Sequence, residues 1–152
     1  MSDISQLPDW MALSPVLVLL AGVLLLFVLD MIDPDSQNTF VLASTAAVTA
    51  LGSLGVSGWF LAAGTGQERT GGVITLFDGT IAVDCLALFV AAIVASVTLL
   101  VVVGSYEYLA GHSQQAEYFS LILLAATGMA SMAVANSFVT AFIALELASL
   151  PS

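Results

Sequence analysis

Apolar residues in this chain are gathered into blocks of about twenty, the length that crosses a ~30 Å hydrocarbon core as an α-helix. A soluble core has no need for blocks so long. Sixty per cent of the residues are hydrophobic and only 8% are charged, against roughly 45–50% and ~25% in soluble domains. The pattern predicts an all-α, polytopic transmembrane helix bundle. Residues 1–152 form a single membrane domain.

Polar punctuation divides the chain into about five spans. Span one is expected from Ala12 to Leu29, with Trp10 as an interfacial anchor and Asp30, Asp33, Pro34 and Asp35 ending it. Span two is expected from Phe40 to Ala63 and is rich in Ala, Ser and Gly, including Gly52, Gly55 and Gly58. Small residues let helix backbones approach, so this span should lie against neighbours. A Gly/Thr-rich loop, Gly64 to Gly79, precedes span three, Thr80 to Val103. Gly104 to Ala116 reads as the next loop, span four as Glu117 to Ala135, and Asn136-Ser137 as a tight turn into span five. From Ser137 to Ser152 there are too few residues to finish a crossing. A chain end inside hydrocarbon is costly, so the sequence reads as the N-terminal fragment of a longer protein with its last span incomplete.

Eleven acids stand against one base, Arg69. That balance excludes a basic nucleic-acid footprint and a polybasic grip on anionic lipid. The lipid bilayer is the expected partner, and no nucleic acid is. Acid-rich loops almost free of lysine suit a high-salt medium, where self-repulsion is screened. One Lys or Arg is too few for the positive-inside rule to fix an orientation. A lone cysteine, Cys85, excludes an internal disulfide and cannot frame a zinc or iron–sulfur site; at the start of an apolar block it reads as a small buried hydrophobe. The N-terminus lacks the basic stretch of a cleaved signal peptide.

Glu146 is the one charge in the apolar run from Ser137 to Leu150. It lies about nine residues, roughly 14 Å, below the start of that span, near mid-membrane. A carboxylate there costs on the order of 2.5–3.5 kcal/mol, so such a group faces a partner or water inside a bundle. Pro151 has no N–H to offer the Leu147 carbonyl. Ser149 is three residues from Glu146 and shares its helical face. Carboxyl, hydroxyl and loosened carbonyl within about one turn suit a short water chain, and water chains carry protons. A dry interior favours the neutral acid and a nearby ammonium the charged form; a carboxyl held between them can load and release a proton. The plainer alternative is a static salt bridge to a lysine on a further helix. Asp84 lies only a few residues inside span three and can reach the interface. His112 reads as a solvated loop histidine, and Glu107 with Tyr106 and Tyr108 as an interface belt. Met129, Met132 and the phenylalanines read as lipid-facing or packing residues. No phosphate loop, metal-ligand cluster or nucleophile–base pair is visible.

The run Glu117-Tyr-Phe-Ser-Leu-Ile-Leu-Leu-Ala-Ala-Thr-Gly-Met129, leading through Ala135-Asn136-Ser137 to Leu145-Glu-Leu-Ala-Ser-Leu-Pro151, resembles the antiporter-like membrane subunits of respiratory complex I. The wording Leu145-Glu-Leu-Ala-Ser-Leu-Pro151 is most similar to the subunit N group of NADH-quinone oxidoreductases. Val83-Asp84 before an apolar span, and Tyr106-Glu-Tyr-Leu109 after it, are similar to that group's third span and following loop. The match is specific over residues 117–151, looser over 78–109, and rests mostly on hydropathy before that. The resemblance implies a full-length fold of about fourteen helices with two inverted five-helix repeats carrying the proton path. Residues of about 12–103 would be non-repeat spans, and about 117–152 the start of the first repeat. Glu146 would be the fifth-helix glutamate that pairs with a lysine two helices later, a lysine this chain does not contain. The chain would hold no cofactor; partner subunits would use quinone and a reduced nicotinamide or deazaflavin donor. Its partners would be other membrane subunits of the same redox complex, in the plasma membrane of a prokaryote. The acid-rich loops would fit a haloarchaeal version. By itself the fragment should translocate nothing.

Two other functions fit the same residues: a subunit of a stand-alone cation/proton antiporter, and a non-transporting membrane protein in which Glu146 locks an assembly interface.

Overall fold

The computed structural model describes residues 11, 13–32, 39–63, 74–109 and 115–151. Five helices occur among them: α1 (Ser14–Ile32), α2 (Thr39–Ala62), α3 (Cys85–Leu109), α4 (Gln115–Ala133) and α5 (Phe138–Ser149). Four of them, α1 to α4, are long and apolar enough to cross a membrane, and α5 is a shorter apolar helix. The protein is an all-α membrane bundle, as its hydropathy predicts.

The surface is inside-out relative to a soluble protein. Large side chains such as Leu24, Phe40, Val48 and Leu100 point outward, where lipid tails are as apolar as any protein core. The interior is built from α1 (Leu19, Val23, Leu26), α2 (Leu42, Ala43, Ala46), α3 (Ala91, Val102) and α4 (Phe119, Leu123, Ala126, Ala130). Helix α4 is central and packs on α1, α2, α3 and α5. Without a hydrophobic drive between helices, close approach must come from small residues. At Gly22 of α1 an added Cβ would stand 2.6 Å from the Thr49 side chain of α2. Span two does lie against neighbours, but through Ala43, Ala46, Ala50, Ser53 and Ser57. Of its glycines, Gly52 does lie against α1, where an added Cβ would stand 3.3 Å from the Val18 side chain, whereas Gly55 and Gly58 are exposed and face open space.

Most hydroxyls in the spans are satisfied locally, the Ser14 hydroxyl at the start of α1 being buried without a partner among the described residues. Thr45, Ser57, Ser96, Thr98, Thr127 and Ser131 each donate to the carbonyl four residues back, a bond that a helix in oil accommodates at small cost. Ser53 instead reaches across the bundle and donates to the Pro15 carbonyl at 3.0 Å, joining the start of α1 to the later half of α2.

The expected boundaries shift in physically informative ways. Helix α1 runs on through Asp30 to Ile32. Helix α3 continues to Leu109, so Tyr106, Glu107 and Tyr108 are helical rather than in a loop. Helix α4 ends at Ala133, not Ala135. The segment expected to open span three is a strand. β1 (Ile74–Leu76) pairs antiparallel with β2 (Ile81–Val83), across a turn in which Phe77, Asp78 and Gly79 all take positive φ. Asp84 then caps α3: its carboxylate accepts from the Ala87 amide at 2.7 Å, filling one of the four orphan donors at the helix start. It is an N-cap at the membrane end, in keeping with its reach to the interface. Cys85 is exposed, not buried, because the first turn of α3 presents it outward. Trp10, Arg69 and His112 lie outside the described residues.

Two stability outcomes follow. Leu123→Ala, at a site with no exposed surface, should cost about 2–5 kcal/mol, read as a lowered unfolding midpoint in detergent micelles. Asp84→Ala should cost about 1 kcal/mol by the same measurement, while Asp84→Asn, which retains an acceptor oxygen, should cost only a few tenths.

Candidate functional site

Helix α5 carries the site. Its start is fixed by the hairpin. Strand β2 bridges to the α4–α5 turn through Ile81 and Ala135. The Ala82 amide donates to the Val134 carbonyl at 2.9 Å, and the Asn136 amide donates to the Thr80 carbonyl at 3.0 Å. The Asn136 side chain adds a bond from Nδ2 to the Gly79 carbonyl at 2.7 Å. Thr80 is held in the turn by Phe77, whose carbonyl accepts from its amide and its hydroxyl. The turn residues thus act as a short third strand. They satisfy backbone groups that the helices leave open and anchor the top of α5.

From that anchor α5 descends with one face on α4. Ala144 is buried at 3% exposure. Ala141 and Ala148, three residues before and four after it, are half-buried on the same face. At mid-depth the two helices almost touch: a Cβ added to Gly128 would lie 2.4 Å from the Ala148 amide nitrogen. Glu146 is two residues from both Ala144 and Ala148, about 200° around the helix. Its side chain is exposed and points away from α4.

Along α5, Glu146 stands nine residues beyond Ser137, roughly 14 Å of helix. Among the described residues no side chain hydrogen-bonds or ion-pairs with its carboxyl. Ser149 stands one turn on, as the spacing implies, but its hydroxyl donates to the Glu146 backbone carbonyl at 3.0 Å. The same carbonyl accepts from the Leu150 amide at 2.9 Å. The geometry therefore brings Ser149 to the Glu146 backbone, not to the carboxyl. Leu150 keeps helical dihedrals at the cap, so α5 winds up to Pro151 without an early kink. The outward face around Glu146 carries Phe142, Ile143 and Leu145, all exposed.

Three features of the site escape a reading by hydropathy. Asn136 looks like a turn residue and is a clamp. Gly128 looks like one small residue among many and is where α4 meets the α5 backbone at Ala148 too closely to admit a Cβ. The hairpin had a local signal, Asp78-Gly79 between two alternating triplets, inside a stretch that otherwise reads as loop. Among the described residues no group of three or more His, Cys, Asp or Glu could hold a metal ion.

Comparison with known proteins gives this chain relatives. No protein-family model matches the chain. The F(420)H(2) dehydrogenase subunit N of Methanosarcina mazei is 32% identical over 141 residues, covering 92% of this chain and 28% of the relative. NADH-quinone oxidoreductase subunit N 2 of Solibacter usitatus is 34% identical over 140 residues, covering 89% of this chain and 27% of its own length. The corresponding subunit N 2 of Koribacter versatilis is 29% identical over 150 residues, covering 95% and 29%. The chain thus spans a little over a quarter of the length of the curated relatives it matches. Over nearly all of its residues it is similar to one part of subunit N of the NADH-quinone oxidoreductases and of its F(420)H(2) dehydrogenase counterpart.

Proposed function

We propose that this chain is part of a membrane subunit that moves protons in a quinone-linked redox complex, and that Glu146 is a proton-carrying carboxyl. The observation that carries the reading is the setting of Glu146. It is the single charge of an apolar helix, at mid-membrane depth, and it is turned off the α4 contact. A hydroxyl in such a helix can bond to its own backbone, as those of α2 to α4 do. A carboxylate has no proton to donate and cannot quiet itself that way. It needs a cation, a water chain or a proton of its own. A cation or a water chain must come from the face that α5 presents away from α4, and a carboxyl balanced between them and a dry interior can load and release a proton.

The relatives' names support the larger frame. They are subunits of quinone- or F(420)H(2)-linked dehydrogenases, which favours a redox complex over a stand-alone antiporter. In this reading α1 to α3 precede the proton path and α4 begins its first five-helix repeat. The chain's own residues carry no redox chemistry; quinone and a reduced nicotinamide or deazaflavin are handled by partner subunits. Those partners are further membrane subunits of one assembly, and the setting is a prokaryotic plasma membrane. Ser149 and Pro151 support Glu146 by shaping the helix end around it. The Ser149 hydroxyl holds the Glu146 carbonyl, and Pro151 leaves the Leu147 carbonyl without its usual donor.

In the complete, assembled subunit, Glu146→Gln should lower proton translocation per electron by about 100-fold, the lower end of what a positioned proton-transfer group supplies. Glu146→Asp should retain a measurable fraction. The check is proton uptake by vesicles containing the complex during a defined number of turnovers. Full translocation in the Gln variant would defeat the proposed role.

A further inference from the structure

We propose that Gly128 is a positioning residue for Glu146: the absence of a side chain there sets the rotation and lateral place of α5, and so the place of the carboxyl. The inference rests on the reading of Glu146 as a proton carrier.

A Cβ at Gly128 would meet the Ala148 amide nitrogen at 2.4 Å, its Cα at 2.7 Å and its Cβ at 2.9 Å. Two of these are backbone atoms of α5, which no rotamer change can move aside. Ordinary contact begins at 3.4 Å, so even an alanine would drive the helices apart by about 1 Å there. The contact itself offers little room to absorb the shift. α5 packs principally on α4, and beside the Ala148 contact Ala141 and Ala144 have only methyl side chains, with Leu147 the long half-buried side chain at the edge of that face. The upper end of α5 is pinned by Asn136 to Gly79 and Thr80. With one end fixed and the mid-depth contact displaced, α5 must tilt or roll. Glu146 lies two residues from Ala148, so it moves with that contact. A misplacement of about 1 Å at a reacting group can cost on the order of 100-fold, whereas the same displacement of a lipid-facing leucine costs little.

The seam also explains the direction of the carboxyl. Because α5 must offer backbone at Ala148 to the Gly128 notch, the residue about 200° away has to face the opposite side. Glycine at 128 thus selects which face of α5 is presented to whatever supplies the proton or its counter-charge.

The test uses the complete subunit in its assembled complex, with Gly128→Ala, Ala148→Gly and Glu146→Gln. Two readouts are taken: protons moved per electron, and the infrared carboxyl or carboxylate stretch of residue 146, assigned by its loss in Glu146→Gln. The expected result for Gly128→Ala is an assembled complex with a displaced Glu146 band and about tenfold or greater loss of proton transfer. An unmoved band overturns the proposal, whether transport is normal or reduced, since reduced transport with an unmoved band marks a merely structural defect. Should Gly128→Ala fail to accumulate, Ala148→Gly carries the test, because it removes one methyl from the seam and introduces no clash. A shifted band there supports the proposal and an unmoved one overturns it. Normal transport in Glu146→Gln would instead defeat the proton-carrier reading, while the band still reports whether Gly128 places the carboxyl.

Discussion

A peptide group in hydrocarbon has only its own chain to bond with, and an unmet one costs several kcal/mol. Every other feature of this protein follows from that constraint. It forces the apolar blocks into helices. It sends most span hydroxyls back to the preceding turn. It confines the non-helical backbone of the hairpin and the α4–α5 turn to one end of the bundle, where the two segments complete each other's hydrogen bonds. Helix packing is then left to dispersion, at only ~0.1–0.2 kcal/mol for each atom pair. Contacts must therefore be many and close, which explains the alanines of α2, α3 and α5 and the notches at Gly22 and Gly128.

Against this background one carboxyl stands out for a chemical reason. The membrane constraint can be met locally by an amide or a hydroxyl, but not by an ionised carboxylate at Glu146, which has no proton to donate. The fold leaves that group turned away from α4, the principal neighbour of α5 among the described residues, while holding the helix that carries it at Asn136 and Gly128. The proposed proton-carrying role calls for such a rigid support, since a working group must be held closely in place. The outward face of α5 is where the remaining chemistry has to come from.

The sequence was most readable where the constraint acts over a whole block. The membrane spans, their number and the isolation of Glu146 could all be taken from hydropathy, since a twenty-residue apolar run has few ways to fold in oil. It was least readable where a few residues decide. Thr80 to Val83 is apolar enough to pass for the start of a helix, yet it is a strand, because the Asp78-Gly79 turn folds it back on Ile74–Leu76 and Asp84 caps the helix after it. Tyr106 to Leu109 reads as polar loop, yet α3 winds through it, since Tyr and Glu continue a helix readily once it is started. Cys85 was placed inside by its apolar surroundings; in a membrane protein apolar surroundings are as much outside as inside. Gly55 and Gly58 share the small-residue signature of Gly128, but only three-dimensional packing separates a notch from a gap. Ser149 was rightly placed within a turn of Glu146, but periodicity cannot tell which oxygen its hydroxyl will choose.

The central claim concerns where a carboxyl sits and what covers it. The most direct measurement is a cryo-electron microscopy map of the complete assembly in a lipid nanodisc, with side-chain density around α5. The account predicts the Glu146 carboxyl about 15 Å from either face of the hydrocarbon layer, on the side of α5 away from α4, and enclosed by protein with a cation or ordered water within hydrogen-bonding reach. A map that finds this carboxyl against lipid tails, in bulk solvent, or folded back onto α4 would contradict it.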